Sequence, residues 1–182
     1  MTAAWYGERA LAGLLYAVLL TPLVFWHHSI NPLITPKVVL FQVLIEIALA
    51  LYGYVAFTNP RYRFRLTRLD WLVFAFGVAL GIASIAGVNF DRSIWSTPER
   101  MTGIFFWAHL FAFFIMLRGM SSVIAWPRYL LFSTGASFIA AVFPVLHLIA
   151  PGIFFDEATE RFSGTLGNPI FLASYLLLHV FI

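Results

Sequence analysis

Long apolar segments, separated by short polar ones, limit what this chain can fold into more than any other feature. Five such segments recur along the sequence, and a sixth follows Pro169. A helix needs about 20 mostly apolar residues to cross the hydrocarbon core of a bilayer, which is about 30 Å thick. Of the 182 residues, 62% are hydrophobic and 10% are charged, whereas a soluble domain carries about 25% charged residues. The sequence therefore predicts a membrane protein of the all-α class.

The predicted architecture is a polytopic bundle of transmembrane helices, with five full spans and a truncated sixth, forming one domain over residues 1–182. The sixth segment would cover only about 20 Å as a helix, and a helix that ends in lipid leaves its last carbonyls without partners. We therefore expect the chain to be the N-terminal part of a longer protein. Pro22 and Pro144 are expected to kink the first and fifth spans. The spans are 10–26, 38–57, 71–88, 103–117, 129–149 and the incomplete 170–182.

Basic residues in the loops predict the orientation, because Lys and Arg near the ends of spans favour the cytoplasmic side. The N-terminus is therefore predicted to be cytoplasmic, with the loops 27–37, 89–102 and 150–169 facing outward. A net charge of +3 on so apolar a chain indicates basic loops beside lipid, and no nucleic-acid surface. The cytoplasmic group is Arg9, Arg61, Arg63, Arg65, Arg68, Arg118 and Arg128, and the outer group is Lys37, Arg92, Arg100 and Arg161.

Several chemistries are excluded or find no support in the residue content. The chain has no cysteine, which excludes disulfides, thiolate metal ligands and cysteine nucleophiles. No two of its five histidines have the i, i+4 spacing that puts two imidazoles on one helical face for a metal. We therefore expect neither a metal site nor a cofactor.

A few polar groups fall inside the predicted spans. Glu46 lies near the middle of the second span, and Gln42 precedes it by one helical turn, so the two share a face. Because an ionisable group at that depth costs about 2.5–3.5 kcal/mol, both should face the bundle interior, and His109 lies in the fourth span. A proton relay is one interpretation and hydrogen-bonded helix packing is another. Gly77 and Gly81 form a G-x-x-x-G pattern that predicts close helix packing.

The outward loops hold the most unusual polar pattern. Residues 89–103 read N-F-D-R-S-I-W-S-T-P-E-R-M-T-G, which puts Arg100 at the mouth of the fourth span. The last loop reads E-R-F-S-G-T-L-G-N-P, with Arg161 seven residues before Asn168, and Gly164 and Gly167 predict a tight turn there. Arginines beside exposed backbone and an Asn suit bidentate recognition of a phosphate or diphosphate. Ion pairing with the neighbouring acids is the alternative, and composition alone favours it.

Three strings together resemble one family. The string at 161–169, R-F-S-G-T-L-G-N-P, resembles the R-x-x-G-x-x-G-N-P-N-x-x-A pattern that opens the conserved domain of the O-antigen ligase and O-antigen polymerase family. The string at 96–103, S-T-P-E-R-M-T-G, is similar to that family's S-x-x-E-R-x-x-G element, and the T-P-K string at 35–37 is similar as well. The chain departs from the pattern at Ile170, where the family commonly has a second Asn.

This resemblance implies a multi-pass, glycosyltransferase-like enzyme of the bacterial cytoplasmic membrane, active in lipopolysaccharide and cell-envelope biosynthesis. Such enzymes transfer or polymerise, on the outer face, a glycan carried on undecaprenyl diphosphate, without a nucleotide sugar or metal. Family members place arginines against the diphosphate and a histidine in a large outer loop beyond the matched region. Carried over by position, Arg161 and Arg100 are the charge-stabilising candidates, with Asn168 close by. Because the large loop is absent, we expect the chain as given to be inactive.

Two other functions stay open at this point. A membrane transporter or channel would place function at Glu46, Gln42 and His109 in the bundle interior. A non-catalytic membrane scaffold would depend only on the Gly77 and Gly81 face. Polar groups concentrate in the outer loops and are few within the spans, which favours chemistry on a lipid-borne substrate at the membrane surface.

Overall fold

The computed structural model describes residues 3–97, 100–149 and 164–182, with the side chains of 3, 4, 147 and 148 left out. Within these ranges the chain is helical and contains no strand, which confirms the all-α class. The α-helices are α1 Ala3–Val18, α2 Thr35–Thr58, α3 Arg68–Ala86, α4 Phe90–Trp95, α5 Ile104–Gly119, α6 Trp126–Ile149 and α7 Pro169–Val180. Short 3-10 helices cover Thr21–Leu23, Pro60–Tyr62 and Gly164–Leu166.

Three of these helices are long and apolar enough to cross a membrane, namely α2, α3 and the Trp126–Leu146 part of α6. The apolar helices α5 and α7 are shorter, with 16 and 12 residues. At about 1.5 Å per residue, the longer of these two covers about 24 Å, less than the hydrocarbon core of about 30 Å. The structure thus supports membrane-spanning helices, but helix length does not confirm five full spans.

The first helix differs from the predicted span 10–26 at both ends. It runs over Ala3–Val18, and Pro22 lies in the separate 3-10 helix Thr21–Leu23. Proline has no N–H and cannot continue the hydrogen-bond ladder of an α-helix. The Thr21 hydroxyl donates to the Val18 carbonyl at 2.8 Å, which satisfies one of the carbonyls left open at the helix end. Pro22 therefore follows a helix end where a kink was expected, whereas Pro144 does lie inside α6.

The buried core forms where α1, α2 and α5 meet. Helices α2 and α5 run in the same direction, because Phe41 packs on Phe106 near their starts and Tyr52 lies against Gly119 near their ends. The Tyr52 hydroxyl donates to the Tyr62 carbonyl at 2.8 Å. The buried apolar side chains of this core are Leu11, Leu15, Val18, Phe41, Ile45, Ala48, Tyr52, Val55, Tyr62, Met116, Met120, Ile124 and Tyr129.

Helix α3 lies at the edge of the bundle. Gly77 packs closely on α5, since a methyl group built on it would lie 3.1 Å from the Phe111 ring. A methyl group built on Gly81 would meet no atom of the described residues within 4 Å. The G-x-x-x-G pattern therefore marks a close contact at its first glycine only, within the part of the chain that the structure describes.

A buried polar group joins α3 to α5 at the end of the bundle opposite to Lys37. Asp70 is completely buried, and its Oδ2 accepts hydrogen bonds from the Thr67 N–H at 2.7 Å and the Thr67 hydroxyl at 2.6 Å. Arg118 donates to Asp70 through Nε at 3.2 Å and Nη2 at 3.3 Å. The sequence analysis assigned Arg118 only to the predicted cytoplasmic group. In the structure, Arg118 forms an ion pair with Asp70 that connects two helices.

Candidate functional site

Two of the three strings that carry the family resemblance meet at one end of the bundle. Lys37, in the first turn of α2, donates through its ammonium group to the backbone carbonyls of Leu33 and Thr165. Thr165 is completely buried, and its hydroxyl donates to the Pro22 carbonyl at 2.9 Å. The T-P-K string is thereby joined to the G-T-L-G-N-P string, across 128 residues of sequence.

The turn that receives Lys37 requires glycine at two positions. Gly164 has φ +52° and Gly167 has φ +71°, in the left-handed region that side chains disfavour. A methyl group built on Gly164 would lie 2.9 Å from Pro144 Cδ, and one built on Gly167 would lie 3.0 Å from Leu33 Cβ. The predicted tight turn before α7 is therefore confirmed, and both glycines also allow the turn to approach its neighbours closely.

Asn168 performs a local structural task. It is the residue before the first turn of α7, and its Oδ1 accepts a hydrogen bond from the Ile170 N–H at 2.8 Å. Asn is a favoured residue at this position, and Pro169 is a favoured first residue of a helix. The amide nitrogen of Asn168 makes no hydrogen bond to a described residue.

Arg100 lies in the segment between α4 and α5, where the backbone bends sharply. Met101 has φ +50°, and both the Arg100 and Met101 N–H groups donate to the Thr97 carbonyl, at 3.0 and 2.9 Å. Because α5 runs parallel to α2, Arg100 lies at the same end of the bundle as Lys37. Its side chain is exposed and forms no ion pair with any acid among the described residues.

Arg161 lies outside the described residues, as do four of the acids of the predicted outer loops, Glu99, Asp156, Glu157 and Glu160. The choice between phosphate recognition and ion pairing by the arginines therefore stays a prediction. The structure does describe Gly164, which follows Arg161 by three residues, is buried and packs against α6.

A second polar cluster joins α2 to α5. His109 Nε2 lies 3.2 Å from Glu46 Oε1, a contact that no sequence pattern predicted. The His109 side chain is 8% exposed and the Glu46 side chain 61%, so Glu46 differs from its expected interior position. It follows Ile45, which points into the core and is 1% exposed, so one helical step turns Glu46 away from that core. Gln42 is half-buried and makes no hydrogen bond through its side chain to a described residue.

A similar contact between α6 and α7 was missed by the sequence analysis. The Ser133 hydroxyl lies 2.9 Å from His179 Nε2, and His179 Nδ1 lies 2.7 Å from the Tyr175 carbonyl. Ser133 and His179 are 46 residues apart, and neither stands in a motif, so no local signal could have paired them. Within the described ranges, no three His, Asp or Glu residues cluster as they would around a metal.

Comparison with models of known protein families, with curated proteins and with solved structures finds no match to this chain. The three strings therefore carry the family resemblance by themselves.

Proposed function

We propose that this chain is the N-terminal part of a lipid-linked glycan ligase or polymerase of the bacterial cytoplasmic membrane. It crosses the membrane several times with its N-terminus in the cytoplasm, and it takes a glycan from undecaprenyl diphosphate at the outer face. The observation that supports this proposal best is the bond between Lys37 and the Thr165 carbonyl. It brings two strings similar to that family to one end of the helix bundle, where Arg100 of the third string also lies.

The proposed chemistry is stabilisation of a leaving group. Transfer forms a bond between an acceptor oxygen and the anomeric carbon of the glycan, and breaks the bond from that carbon to the lipid diphosphate. The departing diphosphate gathers negative charge, and fixed cations in a partly dry site stabilise it. Arg161 and Arg100 are the candidates, because a guanidinium group binds two phosphate oxygens at once. Asn168, seven residues after Arg161 in the sequence, is a further candidate through its amide nitrogen.

Lys37 has a different part in this proposal. Its ammonium group is directed at two backbone carbonyls, so it holds the turn at Gly164–Leu166 against the start of α2. That turn begins three residues after Arg161. Lys37 therefore acts on Arg161 through the backbone, as a positioning residue. The chain alone is not expected to catalyse transfer, since the large outer loop of the family lies beyond the matched region.

The proposal is tested in a longer version of the protein that includes the later spans and the outer loop. Arg161→Ala should abolish glycan transfer from the lipid-linked donor, measured in isolated membranes, while membrane insertion and folding stay normal. The control is Arg92→Ala, because Arg92 is an exposed arginine of the predicted outer group that lies before the S-T-P-E-R-M-T-G string. Normal transfer by the Arg161 variant would show that the assigned role is wrong.

One observation favours a second candidate function, a membrane transporter. Glu46 and His109 form a polar contact between two apolar helices, and such groups often mark transport pathways. Under this alternative, Glu46→Gln impairs transport and Arg161→Ala does not. If neither substitution has an effect, a non-catalytic scaffold remains, and it would depend on the close contact at Gly77.

A further inference from the structure

Two histidines of the bundle are held in the same way. His109 Nδ1 lies 2.7 Å from the Phe105 carbonyl, and His179 Nδ1 lies 2.7 Å from the Tyr175 carbonyl. A carbonyl oxygen only accepts hydrogen bonds, so each Nδ1 carries the hydrogen and donates it. In a neutral ring the other nitrogen, Nε2, then has no hydrogen and acts as an acceptor.

The groups that face the two Nε2 atoms differ in one respect. The Ser133 hydroxyl, 2.9 Å from His179 Nε2, brings its own hydrogen, so this pair is complete with a neutral imidazole. Glu46 Oε1, 3.2 Å from His109 Nε2, brings none when the carboxyl is ionised, because a carboxylate only accepts. An ionised Glu46 beside a neutral His109 would set two acceptors against each other at hydrogen-bond distance.

We propose that Glu46 and His109 form a proton-binding site within the helix bundle. Besides the hydrogen on His109 Nδ1, the pair binds one further proton between Nε2 and Oε1. That proton lies either on Nε2, which gives an imidazolium beside a carboxylate, or on Oε1, which gives a carboxylic acid beside a neutral ring. Both arrangements have no net charge, which explains how an ionisable pair is accommodated halfway along the apolar helix α2. The inference does not depend on the proposed function.

Glu46 supplies the negative charge that offsets the extra proton. Among the described residues, no other charged side chain lies near the pair. Lys37 and Arg118 are nine residues from the pair along α2 and α5, about 14 Å, and both have other partners. The charged groups of the helices packed around the pair are Glu8 and Arg9 on α1, Lys37 on α2, Arg68 and Asp70 on α3, Asp91 and Arg92 on α4, and Arg118 on α5. The tyrosines of α1 and α2 are Tyr6, Tyr16, Tyr52 and Tyr54.

The two sides of the pair differ in how far neighbouring residues cover them. The Glu46 side chain is 61% exposed, and its second oxygen, Oε2, makes no hydrogen bond within the described residues. The Phe105 ring covers His109 on the other side, with ring centroids 4.6 Å apart.

The experiment measures the reversible unfolding of the purified chain in mixed micelles as a function of pH. In an unfolded chain a Glu and a His together keep one proton between about pH 4.3 and 6.5 and none above that range. If the folded pair holds the proposed proton where the unfolded chain holds none, the folded state binds more protons there and loses stability as the pH rises. We expect the unfolding constant to increase about tenfold per pH unit from this pair.

Two variants isolate this contribution. Glu46→Gln replaces the titratable proton with a permanent N–H donor that can still reach Nε2, so it should remove the slope and retain the fold. Ser133→Ala is the matched control at the complete histidine pair, and it should leave the slope as in the wild type. An identical slope in the wild type and in Glu46→Gln would overturn the proposal.

A measurement on the wild type covers the case in which a variant does not fold. Ring nitrogens labelled with ¹⁵N report by NMR whether each imidazole nitrogen carries or accepts a hydrogen. We expect His109 Nε2 to share a proton at neutral pH, whereas His179 Nε2 should accept a hydrogen bond from the Ser133 hydroxyl. A His109 Nε2 that neither carries a hydrogen nor accepts one at neutral pH would also refute the site.

Discussion

Gly167 offers the sharpest test of the turn that joins the two strings. We expect Gly167→Ala to destabilise the chain for two separate reasons. Its φ of +71° is left-handed, and alanine in that region costs about 1–2 kcal/mol. The new methyl group would also lie 3.0 Å from Leu33 Cβ. Because Cβ atoms are attached directly to the backbone, relief requires the turn to move away from the segment before α2, at about 1–3 kcal/mol.

The expected loss for Gly167→Ala is therefore about 2–5 kcal/mol, measured by reversible unfolding in mixed micelles. Gly167→Asn separates the two causes, because Asn tolerates the left-handed region but keeps the methylene contact, and it should lose only about 1–3 kcal/mol. Gly135→Ala on α6 is the control, since a methyl group there would meet nothing within 4 Å. It should be neutral or stabilising by up to about 1 kcal/mol. Equal stabilities of the Gly167→Ala and Gly135→Ala variants would refute the reasoning.

Three further predictions concern other contacts. Gly119→Ala would put a methyl group 2.2 Å from the Tyr52 hydroxyl, displacing that ring and costing about 2–4 kcal/mol in unfolding assays, whereas Gly81→Ala should be neutral. Arg118→Ala leaves the buried Asp70 without its cation and should cost about 1–3 kcal/mol, against less than about 0.5 kcal/mol for the exposed Arg128→Ala. Burial, reinforced by the neighbouring Glu8, raises the pKa of Tyr62. The stability from this shift is present below about pH 10 and is lost as the pH rises through the higher folded value, so Tyr62→Phe should flatten the alkaline stability profile.

The turn before α7 illustrates what local sequence can predict. Gly164, Gly167 and Pro169 indicated a tight turn leading into a helix, and the structure has left-handed glycines followed by a helix that begins at the proline. The prediction succeeds because the conformational preferences of glycine and proline belong to the residues themselves. The end of α1 was harder to place. Apolar residues continue past Val18 to Trp26, and composition does not show where a hydrogen-bond ladder stops.

Burial of single residues was less predictable than helix formation. Glu46 was expected in the bundle interior because exposure to lipid is costly, yet its side chain faces away from the core of the described helices. Gly81 was expected to pack as Gly77 does, yet only Gly77 meets Phe111. In both cases the sequence periodicity groups residues on a face but does not say which part of that face a neighbouring helix covers.

The amino-acid sequence accounts for the apolar helices, because helix formation in apolar segments depends on local composition and on backbone hydrogen bonds within each segment; the described ranges contain no strand. It also determined the glycine turn before α7. Helix packing brings together polar groups that are distant in sequence: Lys37 with Thr165, Arg118 with Asp70, and His109 with Glu46. These partners are 128, 48 and 63 residues apart, and no local pattern records a contact that arises only when separate helices pack.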